Sequence, residues 1–211
     1  MDSCLVGSEM CIRDRSLTVV KEAEAEVINF GRFTDGSNVT EAKLGETFGQ
    51  WLNGRAVFAF QSKQWMIWNG SIWSSDDCGL MIKLAFQFIS EAKQALFDTG
   101  NHSAAGNLSS FESLNRLENL CKLATTDRVV SLTSFDTDPM LLVAPNQWID
   151  LKSGKAFDPD PSILVSKVIA TDYCAKSECP NFEAFLGDIF EDDPDLIGYV
   201  QRAIGYSLTG S

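Results

Sequence analysis

Two aspartates one residue apart, Asp136 and Asp138, form the most chemically suggestive spacing in this 211-residue chain. Paired carboxylates can hold two divalent cations in enzymes that transfer phosphoryl groups. Such a pair normally needs a buried strand and a third acidic partner, whereas this one runs into Pro139 at a strand entrance. Aspartate ahead of proline is turn composition, and capping is the better account. Gly154-Lys155 is the only Gly-Lys step. A phosphate loop of the form G-x-x-x-x-G-K-[S/T] would need glycine at Ile149 and a hydroxyl at Ala156, so this step too reads as a turn. Cys78, Cys121, Cys174 and Cys179 lack C-x-x-C spacing, and the single histidine, His102, lies in another region, so free thiols are expected rather than a metal centre. No catalytic, cofactor-binding or metal-binding residue is therefore expected. A possible nucleic-acid contact remains in Trp65, Trp68 and Trp73, with Lys63 beside them. Aromatic side chains on an exposed sheet face stack on single-stranded bases. The simpler alternative is that these indoles anchor a hairpin against the next helix.

The elements that would position these residues can be read from the periodicity. Thr40 or Asn38 can cap a helix carrying Leu44, Phe48 and Trp51, ended by Gly54. Val57 to Phe60 and Gln64 to Trp68 alternate as strands, and Asn69-Gly70 ahead of Ser71-Ile72-Trp73 fits a two-residue type I′ hairpin turn. Gly79 to Phe97 carries Leu80, Leu84, Phe88, Ala92 and Ala95 on one helical stripe. Residues 98–110 read as a polar loop containing His102. Leu114 to Ala124 forms another helix, with Arg128 to Leu132 continuing it or making a short turn. The period then changes to two. Strands are expected over Met140 to Val143, Trp148 to Leu151 and Val165 to Ala170, with a turn at Lys152 to Lys155. Two helices close the chain. Pro180 opens one whose face is Phe182, Phe185, Leu186, Ile189 and Phe190, and Asp193-Pro194 opens another that would bury Leu196, Ile197, Val200 and Ile204. The fold class is α+β, mostly helical, with a Trp-rich β-hairpin and a few short strands.

Composition narrows the function classes. The formal charge is −12, from 17 basic and 29 acidic residues, and 45% of the chain is hydrophobic, with 14 Phe and 5 Trp. That is ample for a core, but it lacks the basic footprint of a protein that neutralises phosphates. No run approaches the roughly 18 apolar residues of a membrane span, and no membrane partner is expected.

The order and spacing of several blocks carry a resemblance. They are Asp136-Thr137-Asp138-Pro139-Met140-Leu141-Leu142, Trp148-Ile149-Asp150-Leu151-Lys152-Ser153-Gly154, Asp172-Tyr173, Ala175, Cys179-Pro180, Phe182, Phe185-Leu186, and the closing Gly205-Tyr206-Ser207-Leu208-Thr209-Gly210. Together they resemble the linker domain that precedes the superfamily-three ATPase in phage, plasmid and poxvirus primase-helicases. The likeness runs from about residue 35 to residue 211. The family pattern places a glycine after the position of Asn146, where this chain has Gln147. The resemblance implies a non-catalytic connector or collar domain over 38–211, acting in DNA replication of a mobile element and cut before the helicase motor. It implies ATP and magnesium for that motor, DNA as a partner through the longer protein, a homo-oligomeric ring and a cytoplasmic location. The matching residues Asp136, Asp138, Pro139, Asp150, Gly154, Asp172, Tyr173, Pro180, Phe185, Gly205 and Tyr206 are architectural in that reading. The alternatives are a small single-stranded-DNA-binding module on the tryptophan hairpin, or a metal-dependent primase fragment using Asp136 and Asp138.

The other end reads differently. Residues 5–15, Leu5 to Arg15, resemble a translated adaptor used in preparing sequencing libraries, so 1–15 is expected to be an artefact that packs against nothing. Residues 16–37 form an acidic arm or linker.

Overall fold

A computed structural model of the chain describes Phe30 and residues 40–210. The expectations for residues 1–15, and for the acidic arm apart from Phe30, lie outside the described residues. Within them the fold is α+β and mostly helical, as the periodicity implies. Helix α1 (Glu41–Trp51) begins where Thr40 Oγ1 accepts the Lys43 amide at 3.3 Å, satisfying one orphan N–H of the first turn. Arg128 serves the other end. Its guanidinium donates to the carbonyls of Gly49 and Gln50 and to the Asn53 side chain. Helix α2 (Leu80–Asp98) is started by Asp76, whose two carboxylate oxygens accept the Leu80 and Met81 amides at 2.7 and 2.9 Å. Its buried stripe is Met81, Ala85, Phe88, Ile89, Ala92 and Leu96, displaced from the expected Leu80, Leu84 and Ala95, which are only half-buried. The apolar arc of α2 is wide, so the positions of its neighbours select which stripe is covered.

The expected polar loop over 98–110 is instead mostly helix. Helix α3 (His102–Leu108) and a 3-10 turn at Ser109–Glu112 form because Asn101 Oδ1 accepts the Ala104 amide and because Ala104, Ala105, Leu108 and Phe111 are buried. Its outer face carries the Asn, Ser and Gly that gave a loop-like composition. Helix α4 (Leu114–Ala124) then buries Leu117, Leu120, Cys121 and Ala124, completing a first core among α1, α2 and α3. Phe30 packs on this core, its ring 5.8 Å from that of Phe88.

One face of a four-stranded sheet lines that core. Strands β1 (Ala56–Ala59), β2 (Gln64–Trp68), β3 (Trp73–Ser75) and β4 (Val129–Val130) run in the order β3-β2-β1-β4. Strand β4 pairs parallel with β1, where a helical continuation or turn was expected, through Phe58 N–H to the Arg128 carbonyl at 2.7 Å and Phe60 N–H to Val130 at 3.2 Å. Two valines are too short a run to announce a strand without the edge they pair with. Along β2 the faces alternate: Trp65 and Ile67 meet the helical core, Met66 and Trp68 a second one. The hairpin turns at Asn69-Gly70, but those two are not its tip. Beyond the Trp68–Trp73 pair, Asn69 N–H donates to the Ile72 carbonyl at 3.1 Å, which leaves Gly70-Ser71 at the end of the loop. Asn69 Oδ1 accepts the Ser71 and Ile72 amides at 3.0 and 2.9 Å, and only Gly70, at φ +96°, takes a positive φ. An asparagine that bonds its own loop needs no left-handed conformation itself.

The second core lies between this sheet and an antiparallel meander of β5 (Leu141–Val143), β6 (Trp148–Asp150) and β7 (Lys155–Phe157). Trp148, fully buried, sits 6.1 Å from Trp68 and 6.0 Å from Phe157 and donates its indole N–H to the Ser71 carbonyl at 3.1 Å. The third strand is β7, not residues 165–170. Those residues run as irregular chain, where the Val165 carbonyl accepts Trp73 N–H at 2.8 Å and Ile169 N–H reaches Val143 at 2.9 Å. The chain ends in helices α5 (Pro180–Phe190) and α6 (Pro194–Ser207). Of the expected apolar faces, only Leu186 is buried; Phe182, Phe185, Ile189, Leu196 and Ile204 are exposed.

Candidate functional site

The carboxylates that looked most like chemistry are occupied by the backbone. Asp136, held at φ +54°, accepts Ser166 N–H at 2.8 Å and Ser166 Oγ–H at 2.6 Å, while its own N–H donates to the Leu164 carbonyl at 2.9 Å. It therefore staples the entrance of β5 to the irregular segment thirty residues later. Asp138 Oδ1 accepts the Met140 amide at 2.9 Å, an Asx turn leading into the strand. The described residues contain no group of three or more His, Cys, Asp or Glu positioned to hold a metal ion.

Asp150 and Gly154 build the β6–β7 turn. Ser153 Oγ–H and Lys152 N–H donate to the Asp150 carboxylate at 2.6 and 2.9 Å, and Gly154 supplies φ +68°. The Ser153 hydroxyl, then the Lys152 amide, hold the Asp150 carboxyl below its usual range. The preceding β5–β6 turn closes through Ala144 N–H to the Gln147 carbonyl at 3.0 Å. Gln147 is not among the positive-φ residues, so this turn forms without the glycine of the family pattern. Asn146, inside it, clasps the backbone of Tyr173 like a strand partner: its Nδ2 donates to the Tyr173 carbonyl at 2.9 Å and its Oδ1 accepts the Tyr173 amide at 2.8 Å. Asp172, beside this clasp, is exposed.

The closing block returns to the first one. Gly210 N–H donates to the Pro139 carbonyl at 2.8 Å, and a Cβ on Gly210 would lie 3.3 Å from Pro139 Cα. Pro180 stands at the first turn of α5, Phe185 is exposed on that helix, and Gly205 and Tyr206 are exposed on α6. The blocks at 136–139, 146–154 and 172–173, with Gly210 from the closing block, thus meet at the rim of the second sheet.

The indoles are placed unequally. Trp68 and Trp73 are 5% and 1% exposed in the second core, their rings 5.6 Å apart. Trp65 is half-buried with its ring 5.4 Å from Phe58, and Lys63 is exposed at φ +53° in the β1–β2 loop. His102 begins α3 with its ring 5.2 Å from Phe97. Cys121 is buried, its thiol pushed up from 9.0 to about 12, chiefly by desolvation and then by the charge of Asp76. Ser166 completes the site without a local signal in the sequence, since it answers a carboxylate far upstream; Gly210, the last residue of the closing block, acts through its backbone.

Residues 46–191 match the family described as D5 N terminal like, a span running from within α1 through α5. The chain belongs to that family. D5 N terminal like domains form the N-terminal region of phage, plasmid and poxvirus D5-type primase-helicases, and the matched span here contains the second core and all of the first but Leu44 and the packed Phe30, while Gly210 lies beyond it. No curated protein matches the chain. Among its described residues, no helix of this D5 N terminal like domain is long and apolar enough to cross a membrane.

Proposed function

We infer that this D5 N terminal like domain is a non-catalytic connector that passes mechanical load between an upstream replication module and an ATP-dependent DNA helicase motor. The observation that carries the reading is the tie between Gly210 and Pro139. It anchors the end of α6, the side on which the family's motor would follow, to the entrance of the second sheet. The engagement of Asp136 and Asp138 by backbone amides supports an architectural rather than a catalytic role for them. In this reading ATP and magnesium belong to the motor, DNA is engaged by the longer protein as a homo-oligomeric ring, and the work is replication of a mobile element in the cytoplasm.

The test uses the longer reading frame from the source DNA. It is expected to encode a P-loop after residue 211 and to yield a protein that hydrolyses ATP and separates strands, while the 211-residue chain does neither. In the longer protein, Gly210→Val crowds Pro139. It is expected to keep ATP hydrolysis and lose strand separation, because force no longer reaches the anchored sheet. Turnover by the 211-residue chain, a downstream frame lacking a P-loop, or unwinding untouched by Gly210→Val would each overturn the reading.

A further inference from the structure

The α5–α6 hairpin exposes an apolar surface that neither core uses. No side chain of either helix joins the two buried clusters. Leu186 is 3% exposed, and Ile197 and Val200 on α6 are half-buried. Phe182, Phe185 and Ile189 recur at i, i+3 and i+7 along α5 and stay exposed, as do Leu196, Tyr199 and Ile204 on α6. These six large side chains, each between 43% and 65% exposed, leave apolar surface open on both helices, more than singly scattered surface residues would.

The charge around that surface restricts what can cover it. Between Pro180 and Ser207 stand Glu183, Asp188, Glu191, Asp192, Asp193 and Asp195, all exposed, against Arg202 alone. A second copy would bring the same acidic rim, and the whole chain is at −12, so like charges oppose self-pairing. We propose that the α5–α6 face is a docking surface for an amphipathic helix of a protein partner, apolar at i, i+3, i+4 and i+7 and flanked by lysine or arginine. The apolar stripe supplies the contact area, and the acidic rim supplies orientation and discrimination. This stands independently of the connector reading, since it concerns what α5 and α6 bind and not whether they transmit force.

The test uses the 211-residue chain and a synthetic peptide of about 18 residues, five helical turns. The peptide carries leucine at the four apolar spacings and lysine on the flanks; a control carries glutamate in place of lysine. Fluorescence anisotropy at physiological salt is expected to show saturable one-to-one binding of the lysine peptide, weakening as salt rises, and none of the glutamate peptide. Phe185→Asp and Ile189→Asp are each expected to weaken binding at least about tenfold, the scale of a central interface anchor, and Glu183→Lys with Asp188→Lys to abolish the preference for lysine. These side chains are exposed, so circular dichroism melts should be unchanged. If a variant melts early, amide exchange on the wild-type complex replaces it: protection confined to 180–207 supports the surface, and protection elsewhere overturns it. Equal binding of both peptides, binding indifferent to Phe185→Asp, or sedimentation showing that a second copy already occupies the face would also overturn the proposal.

Discussion

Replacing Asp136 by alanine separates an architectural carboxylate from a catalytic one. In the structure this side chain accepts Ser166 N–H and Ser166 Oγ–H at 2.8 and 2.6 Å, in a half-buried position. Hydrogen bonds to a charged group contribute about 1.5–3 kcal/mol each, but water can reach part of this site, so the two together are set at about 2 kcal/mol. Asp136 also sits at φ +54°, a region that aspartate tolerates better than alanine, which adds up to about 1 kcal/mol. Asp136→Ala is therefore expected to cost about 2–3 kcal/mol, a fall in Tm of roughly 4–12 °C for a chain of this size. Asp136→Asn keeps one acceptor oxygen for the Ser166 amide and can donate to the Ser166 hydroxyl, so its expected loss is under about 1 kcal/mol. Urea unfolding followed by tryptophan fluorescence is a suitable assay, because Trp68, Trp73 and Trp148 all lie in the core that Asp136 helps to close. A structural role predicts graded losses at unchanged m-value and no effect of magnesium on the wild type. Alanine costing less than about 0.5 kcal/mol, or saturable stabilisation of the wild type by magnesium that Asp136→Asn removes, would refute the reasoning.

Three further outcomes are expected. Gly45→Ala should destabilise by about 1–3 kcal/mol in denaturant melts although alanine favours helix, because the new Cβ would lie 2.7 Å from Leu123 Cβ where α1 crosses α4. Cys121 should resist iodoacetamide in the native chain while Cys78, Cys174 and Cys179 react, as peptide mass spectrometry before and after urea would reveal. Its folded pKa is raised, so the stability it contributes is fully present below about 9 and declines as pH climbs from 9.0 toward about 12; alkaline melts of Cys121→Ala should lack that decline. An oligo-dT strand should quench tryptophan emission little and not at all at physiological salt, since the chain carries −12 and Trp68 and Trp73 are closed off; tight binding abolished by Trp65→Ala would contradict this.

Local periodicity was enough to place most elements. Thr40 capping α1, the alternation from Trp65 to Trp68, the long stripe of α2 and the two proline-started helices are each written within a window of a few turns, where side-chain spacing and backbone geometry are directly coupled. The family blocks were legible for the same reason, as short runs of fixed residue types. Tertiary structure decided what those windows cannot contain. Val129-Val130 is a strand because β1 offers an edge, and 102–108 is a helix because Ala104, Ala105 and Leu108 find the first core. The use of Asp136 depends on Ser166, and that of Pro139 on a backbone amide at Gly210. The faces of α5 and α6 show the boundary most clearly. The sequence by itself determined that both helices are amphipathic; only the packed chain decided that the apolar sides stay open, because burial depends on which neighbour arrives and not on the pattern that awaits it.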